Sequence, residues 1–273
     1  MSTSRDDSLA VTKFAVGQPV PRLEDRTLVQ GGGRYTDDVN LDGQVCAAFV
    51  KSQVAHGTIN GIDVAAARAM PGVLAVYAAA DLATAGIAGI PCRLPLKSQD
   101  GSGIKVTDRP ALAADTVRFV GDPSVCVIAE TAVQAQDAAE AVVVDIEPLD
   151  AVVDPRDAVA PGAPQLYADA PGNVSLDYLY GDKAKVAEAF GRAAHVTKMR
   201  LQNVRLVVNA MEPRSVVAAF DTASGRFTLY APTQGVLGSK ATAAAIMKVA
   251  PEKMRFIAVN VGGSFGMKGG IFP

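Results

Sequence analysis

The stretch DPRDAVAPGAPQLYADAPGN, Asp154 to Asn173, constrains this 273-residue chain more than any other. It is rich in Pro, Ala and Gly and shows neither a helical nor a strand period. No long helix or sheet can run through it, so it reads as a linker with separately folding segments on either side. Hydrophobic residues make up 49% and charged residues 20% of the chain, enough apolar surface for ordinary globular cores. Aromatic content is only 5%, with no Trp, so Ala and Val must do most of the packing.

Before the linker, the first ~24 residues read as an extended arm, because Pro19 and Pro21 resist helix. The pattern predicts a strand over Gln44–Ser52, a short helix over Ile62–Met70 stopped by Pro71-Gly72, and a strand over Val73–Ala79. Residues Ala85 to Pro110 lack a clear period and read as a long loop. VRFV and SVCVIAE read as two strands around the turn Gly121-Asp122-Pro123. Thr131 is a natural N-cap for the Ala-rich helix AVQAQDAAEAV, which leads into the strand VVVDIEP. Strands and helices mix without a steady βαβ rhythm, the mark of an α+β domain.

Several function classes are poorly supplied. Net charge is −2 and no Lys/Arg run stands out, which argues against a nucleic-acid or anionic-membrane surface. The opening MSTSRDDSLAVTKF has no apolar core, and no apolar run is long enough to span a bilayer, so the expected location is the cytoplasm. Cys46, Cys92 and Cys126 form no C-x-x-C pair, which excludes a local zinc or iron–sulfur loop; buried thiols are expected. His56 and His195 are the only histidines, too few for a His-rich metal site.

After the linker, a helix (DKAKVAEAFGRA, Asp182 to Ala193) precedes a long β-rich stretch, HVTKMRLQNVRLVVN. SVVAAFD and RFTLYAP follow, joined by the turn Thr222–Gly225; then come a helix over about Gln234–Val249 and the strand MRFIAVNV, ending at Val261. If the last two strands are parallel neighbours, both present their C-terminal ends at one sheet edge, where open α/β sheets bind ligands. The first would deliver Thr233-Gln234-Gly235 and the second Gly262-Gly263-Ser264-Phe265-Gly266. A Gln amide both donates and accepts, and glycines allow close backbone approach to an anion or heterocycle. On spacing alone, the alternative is a polar helix-start residue beside a tight turn. The loop is neither G-x-G-x-x-G nor G-x-x-x-x-G-K-[ST], so nucleotide binding has little support.

GRYTDDVNLDGQVCAAFVKSQVAHGTI, PGVLAVYAAADL and VRFVGDPSVCVIAE resemble the hammerhead domain of the xanthine dehydrogenase/aldehyde oxidase family. NAMEPRSVVAAFD, APTQG and VGGSFGMKGG resemble, in order, the opening of that family's molybdenum-cofactor domain. The style is that of carbon-monoxide-dehydrogenase-like bacterial large subunits. The implied architecture is α+β: an arm (1–24), a hammerhead domain (25–153), a linker (154–175) and an incomplete first part of the α/β cofactor domain (176–273).

The resemblance implies a molybdenum–pterin cofactor, including its cytosine-dinucleotide form as one possibility. It places Gln234 near the metal's oxo ligand and the Phe265 backbone beside the metal. Gly235, Gly262, Gly263 and Gly266 would line the pterin. Met211–Arg214 (MEPR) is expected to be structural, with a buried Glu212–Arg214 arrangement, and His56 a packed or surface residue rather than a ligand. Lys268 is followed by Gly269 where xanthine-type enzymes carry a substrate-recognising glutamate, which speaks against xanthine. The family's catalytic glutamate falls beyond Pro273, so no catalytic base is assigned to this chain. The implied reaction is hydroxylation of a heteroaromatic or aldehyde with water-derived oxygen, or CO oxidation. Iron–sulfur clusters and FAD would lie on partner subunits. The expectation is a truncated chain; the alternative is a natural split completed by a second polypeptide. The rival reading of the whole is an assembly or binding module, or a fragment, that holds no cofactor.

Overall fold

A computed structural model describes residues 21–92, 94–105 and 109–272. Most of the expected arm lies outside these residues. Helix α1 (Asp25–Val29) is followed by a 3₁₀ turn, Thr36–Asp38, and then by the first sheet elements.

Two small sheets build the first half. Strand β1 (Cys46–Lys51) leads to β2 (Gly57–Asp63), the one-turn helix α2 (Ala65–Arg68), β3 (Val73–Ala78) and α3 (Ala79–Thr84). After the long loop come β4 (Thr116–Val117), β5 (Pro123–Ala129), α4 (Ala132–Glu140) and β6 (Val143–Pro148). One sheet has the order β1-β5-β3 and the other β4-β2-β6, with all neighbours antiparallel. Thr131 caps α4 as expected, its Oγ1 accepting from Gln134 N–H at 3.3 Å. The core between α4 and the β1-β5-β3 sheet is Ala and Val: Val76, Val125, Val127, Ala129, Ala135 and Ala138 are all buried. Alanines on the helix face let it approach the sheet closely, which is how a core with few aromatics still packs.

Three expectations need correction here. Ile62–Asp63 close strand β2, and the helix over Ile62–Met70 shrinks to Ala65–Arg68. β2 itself escapes the pattern because Gly57 and Gly61 interrupt it. A methyl group on Gly57 would stand 2.6 Å from Ile146 Cγ2 and 2.9 Å from the Glu147 carbonyl, so the pairing with β6 demands glycine there. VRFV contributes only Val117 to a strand, and β4 pairs with β2, not with β5 across the Gly121 turn.

The linker contains α5 (Pro155–Ala158) and a 3₁₀ turn at Pro171–Asn173, and it is strapped to the first half. Arg118 donates to the Leu166 carbonyl (3.0 Å) and stacks over Tyr167 at 4.6 Å; Asn173 Nδ2 holds the Ala158 and Pro164 carbonyls. Next, α6 (Lys183–Arg192) starts on Asp182, whose carboxylate accepts from Lys185 N–H at 3.0 Å.

Residues 195–209, expected to be β-rich, form no strand in the structure, and every residue from 177 to 209 is exposed. Their apolar side chains have no sheet partner among the described residues.

The second half then closes into β7 (Val217–Asp221), β8 (Arg226–Tyr230), α7 (Val236–Ile246) and β9 (Met254–Ile257), in the sheet order β7-β8-β9. β7 and β8 are antiparallel, whereas β8 and β9 are parallel. Ala243 and Ala244 of α7 bury against Met254, Phe227 and Leu229. The halves also touch: Ala88 N–H donates to the Ile246 carbonyl at the end of α7 (2.7 Å), and Arg34 and Asn260 bond reciprocally.

Candidate functional site

The parallel pairing of β8 with β9 places the C-terminal ends of both strands at one edge. The pairing continues one step past β8, with Ala231 N–H donating to the Ile257 carbonyl at 3.0 Å. Beyond it, Thr233-Gln234-Gly235 turns into α7, for which Gly235 is the N-cap. Thr233 fixes that turn: its Oγ1 accepts from Gly235 N–H (3.1 Å) and bonds the Ser239 hydroxyl (2.7 Å).

The glycine loop folds back beneath this turn. Gln234 N–H donates to the Lys268 carbonyl at 3.1 Å, and Thr233 Oγ1 donates to the same oxygen at 3.4 Å. Gln234 and the loop are therefore brought together, and the Gln234 side chain lies exposed above it. A methyl group on Gly269 would stand 3.5 Å from Gln234 Oε1.

Within the loop the predicted residues divide. Gly262 and Gly263 pack inward: a methyl group on Gly262 would meet Glu212 Cβ at 2.5 Å, and one on Gly263 would meet the Phe265 ring at 3.1 Å. Gly235 and Gly266 face open space. Phe265 is 78% exposed and holds φ +49°, an uncommon conformation for a bulky residue. Gly263 and Gly266 flank it at φ +95° and +91°. Among the described residues the backbone N–H groups of Gly263, Ser264, Phe265 and Gly266 find no acceptor, so the loop that holds the Gln234 turn carries four successive donors.

Glu212 lies at the root of the loop and is buried. Its carboxylate accepts from Gly262 N–H (2.8 Å), Lys268 Nζ (2.9 Å) and Thr36 N–H (3.3 Å), and its own N–H donates to the Gly262 carbonyl (3.1 Å). Burial pushes this carboxyl up, but the hydrogen bond from Lys268 and the two backbone donors outweigh it, holding it below its ordinary value of 4.5. The expected Glu212–Arg214 arrangement is not formed. Glu212 pairs with Lys268, and the Arg214 guanidinium stacks on Phe272 at 3.9 Å.

Sequence reasoning missed the Lys268 side chain and Thr36 as partners of Glu212. A lysine set among glycines with no acidic residue nearby was the available signal, but its partner lies 56 positions away. His56 is buried and its Nδ1 sits 2.8 Å from the Asp150 carbonyl, a packing role as expected. The thiols depart from expectation: Cys92 is exposed, while Cys46 and Cys126 are half-buried, burial pushing the Cys126 thiol up. Among the described residues, no group of three or more His, Cys, Asp or Glu could hold a metal ion. A cavity of about 720 Å³ lies in the first half between β1, α4 and β6, away from this edge. It carries no cluster of reactive groups, so the strand edge remains the better candidate.

An α+β chain with a glycine loop and a glutamine at one parallel-strand edge is built as a cofactor-domain protein, and comparison with known proteins identifies the kind. Residues 30–150 match the family described as aldehyde oxidase and xanthine dehydrogenase, a/b hammerhead domain; residues 166–273 match the molybdopterin cofactor-binding domain. The chain belongs to the xanthine dehydrogenase/aldehyde oxidase family.

It is 36% identical over 265 residues to the nicotine 6-hydroxylase large subunit of Paenarthrobacter nicotinovorans, covering 96% of this chain and 31% of the relative. It is 32% identical to the carbon monoxide dehydrogenase large chain of Hydrogenophaga pseudoflava, covering 92% and 31%. The solved quinoline 2-oxidoreductase of Pseudomonas putida 86 superposes with a TM-score of 0.81 at 30% identity, over 91% of this chain and 31% of that one. The chain thus spans about a third of the length of the relatives it matches. Among the described residues, no helix is long and apolar enough to cross a membrane.

Proposed function

We propose that this chain supplies one wall of the molybdenum–pterin site in the large subunit of a molybdenum hydroxylase. The observation that carries this reading is the Gln234 N–H bond to the Lys268 carbonyl, which joins the glutamine turn and the glycine loop at one edge. The residues fit such a group. Four loop N–H groups without an acceptor among the described residues, and the exposed side-chain amide of the turn bonded to that loop, supply donors suited to an oxygen-rich heterocycle. Gln234 and the Phe265 backbone would stand nearest the metal, with Gly235, Gly262, Gly263 and Gly266 around the pterin; the two inward-packed glycines act by setting the loop's shape.

When bound, the cofactor would supply two-electron redox chemistry for oxidation of a substrate with water-derived oxygen. The chain's own part is to bind, orient and hydrogen-bond. No catalytic base is assigned among its residues. Relatives named for nicotine, quinoline, aldehyde and carbon monoxide support a small heteroaromatic compound, an aldehyde or CO as substrate. Iron–sulfur and FAD subunits would carry the electrons away, and the pterin could carry a cytosine dinucleotide. The expected domains are a hammerhead over 25–153 and cofactor-domain residues from 176, with 154–175 between them.

The test is to express the complete large subunit with its partner subunits and assay the purified complex for molybdenum and pterin. Both are expected in stoichiometric amounts. Gln234→Ala is expected to lower kcat by about ten-fold or more, the scale for losing one preorganised polar contact. A complex in which molybdenum and pterin are both missing would sink the reading.

A further inference from the structure

Among the described residues Lys268 is the largest fully buried side chain, yet it sits in a glycine loop whose other residues are exposed or half-buried. Burying an ammonium costs more than burying an apolar side chain of similar size, and breaking such a pair leaves an uncompensated charge. Here the pair does what an apolar side chain could not. Glu212 Oε2 receives both Lys268 Nζ and Gly262 N–H, the far end and the root of the same loop. Its Oε1 receives Thr36 N–H from the first half of the chain. At its other end, Lys268 holds the Gln234 turn through its carbonyl, and its N–H donates to Ser264 Oγ at 3.2 Å.

We propose that Lys268 and Glu212 are positioning residues for this edge, their buried ion pair cinching the loop so that the Lys268 carbonyl orients Gln234. Neither side chain need touch a ligand: Lys268 is 1% exposed and points away from the open face toward Glu212. The proposal deepens the reading of the edge as a cofactor site and rests on it for its effect on turnover. The ordering of Gln234 by the pair does not depend on a cofactor.

The test uses the complete subunit with its partners, as wild type, Lys268→Met and Glu212→Gln. The first readout is hydrogen exchange at the Gln234 amide and across 262–269, with α7 as the internal reference; the second is kcat and KM with molybdenum content. Lys268→Met is expected to speed exchange at Gln234 by about ten-fold or more while α7 stays protected, as for local opening. It is expected to lower kcat by about ten-fold with KM changed less than about two-fold, as when orientation is lost rather than binding. Glu212→Gln should act in the same direction. Exchange at Gln234 within about two-fold of wild type in a folded variant overturns the proposal. So does failure of both variants to fold when Gln234→Ala folds normally, because the pair would then be a folding element alone. A wild-type complex lacking molybdenum refutes the cofactor reading, while the exchange data still decide whether the pair orders Gln234.

Discussion

Single atoms decide how the edge is built. Gly262 packs on Glu212 so closely that Gly262→Ala must displace the loop root or the carboxylate; it is expected to cost about 1–3 kcal/mol, read from chemical denaturation. Thr36 is fully buried and, among the described residues, its Oγ1 has no hydrogen-bond partner, although its N–H serves Glu212. Thr36→Val keeps that N–H and removes the orphan hydroxyl, so it is expected to raise stability by about 1 kcal/mol. The Glu212 carboxyl is held below its ordinary value, so its folded form binds a proton less readily than the unfolded chain does. The stabilisation it gives is complete above about pH 4.5 and drains away as pH falls through the lower folded value. Thermal unfolding of wild type should therefore lose ground on acidification relative to Glu212→Gln, which starts about 3–5 kcal/mol lower at neutral pH because it strands the Lys268 charge.

Elements show what the sequence could and could not disclose. Periodicity located β1, β3, β5, α4, β6, β7, β8 and α7, because each buries one face against a partner in the same half. It missed β2, whose glycines answer a close approach of β6 that only the folded sheet reveals. It overextended β9, which stops at Ile257 while the chain peels off toward Arg34. The candidate site divided the same way. Gln234 and the glycine loop were legible because both sit beside a strand–helix boundary, whereas the Glu212–Lys268 pair joins segments no local pattern connects. Among the helices, α4 depends on its cap: Thr131→Ala is expected to cost about 1 kcal/mol, measurable as a lower denaturation midpoint with an unchanged m-value.

At the scale of the whole molecule, one long described segment stays uncovered. Every residue from 177 to 209 is exposed, and Leu201, Leu206 and Val207 stand in solvent. Apolar side chains on an unpaired extended backbone are an aggregation template. Produced by itself, the chain is expected to self-associate on size-exclusion chromatography, and limited proteolysis should cut first within 177–209. Leu206→Lys should reduce the association without changing the melting of either half. The reciprocal bond between Arg34 and Asn260 carries a different consequence, one of time. The two residues lie 226 positions apart, so at ribosomal speeds of about 5–20 residues per second Arg34 is synthesised roughly 10–45 s before its partner. The strand that feeds the glycine loop thus emerges to meet a finished surface, and the older half of the molecule serves as the mould in which the younger edge is cast.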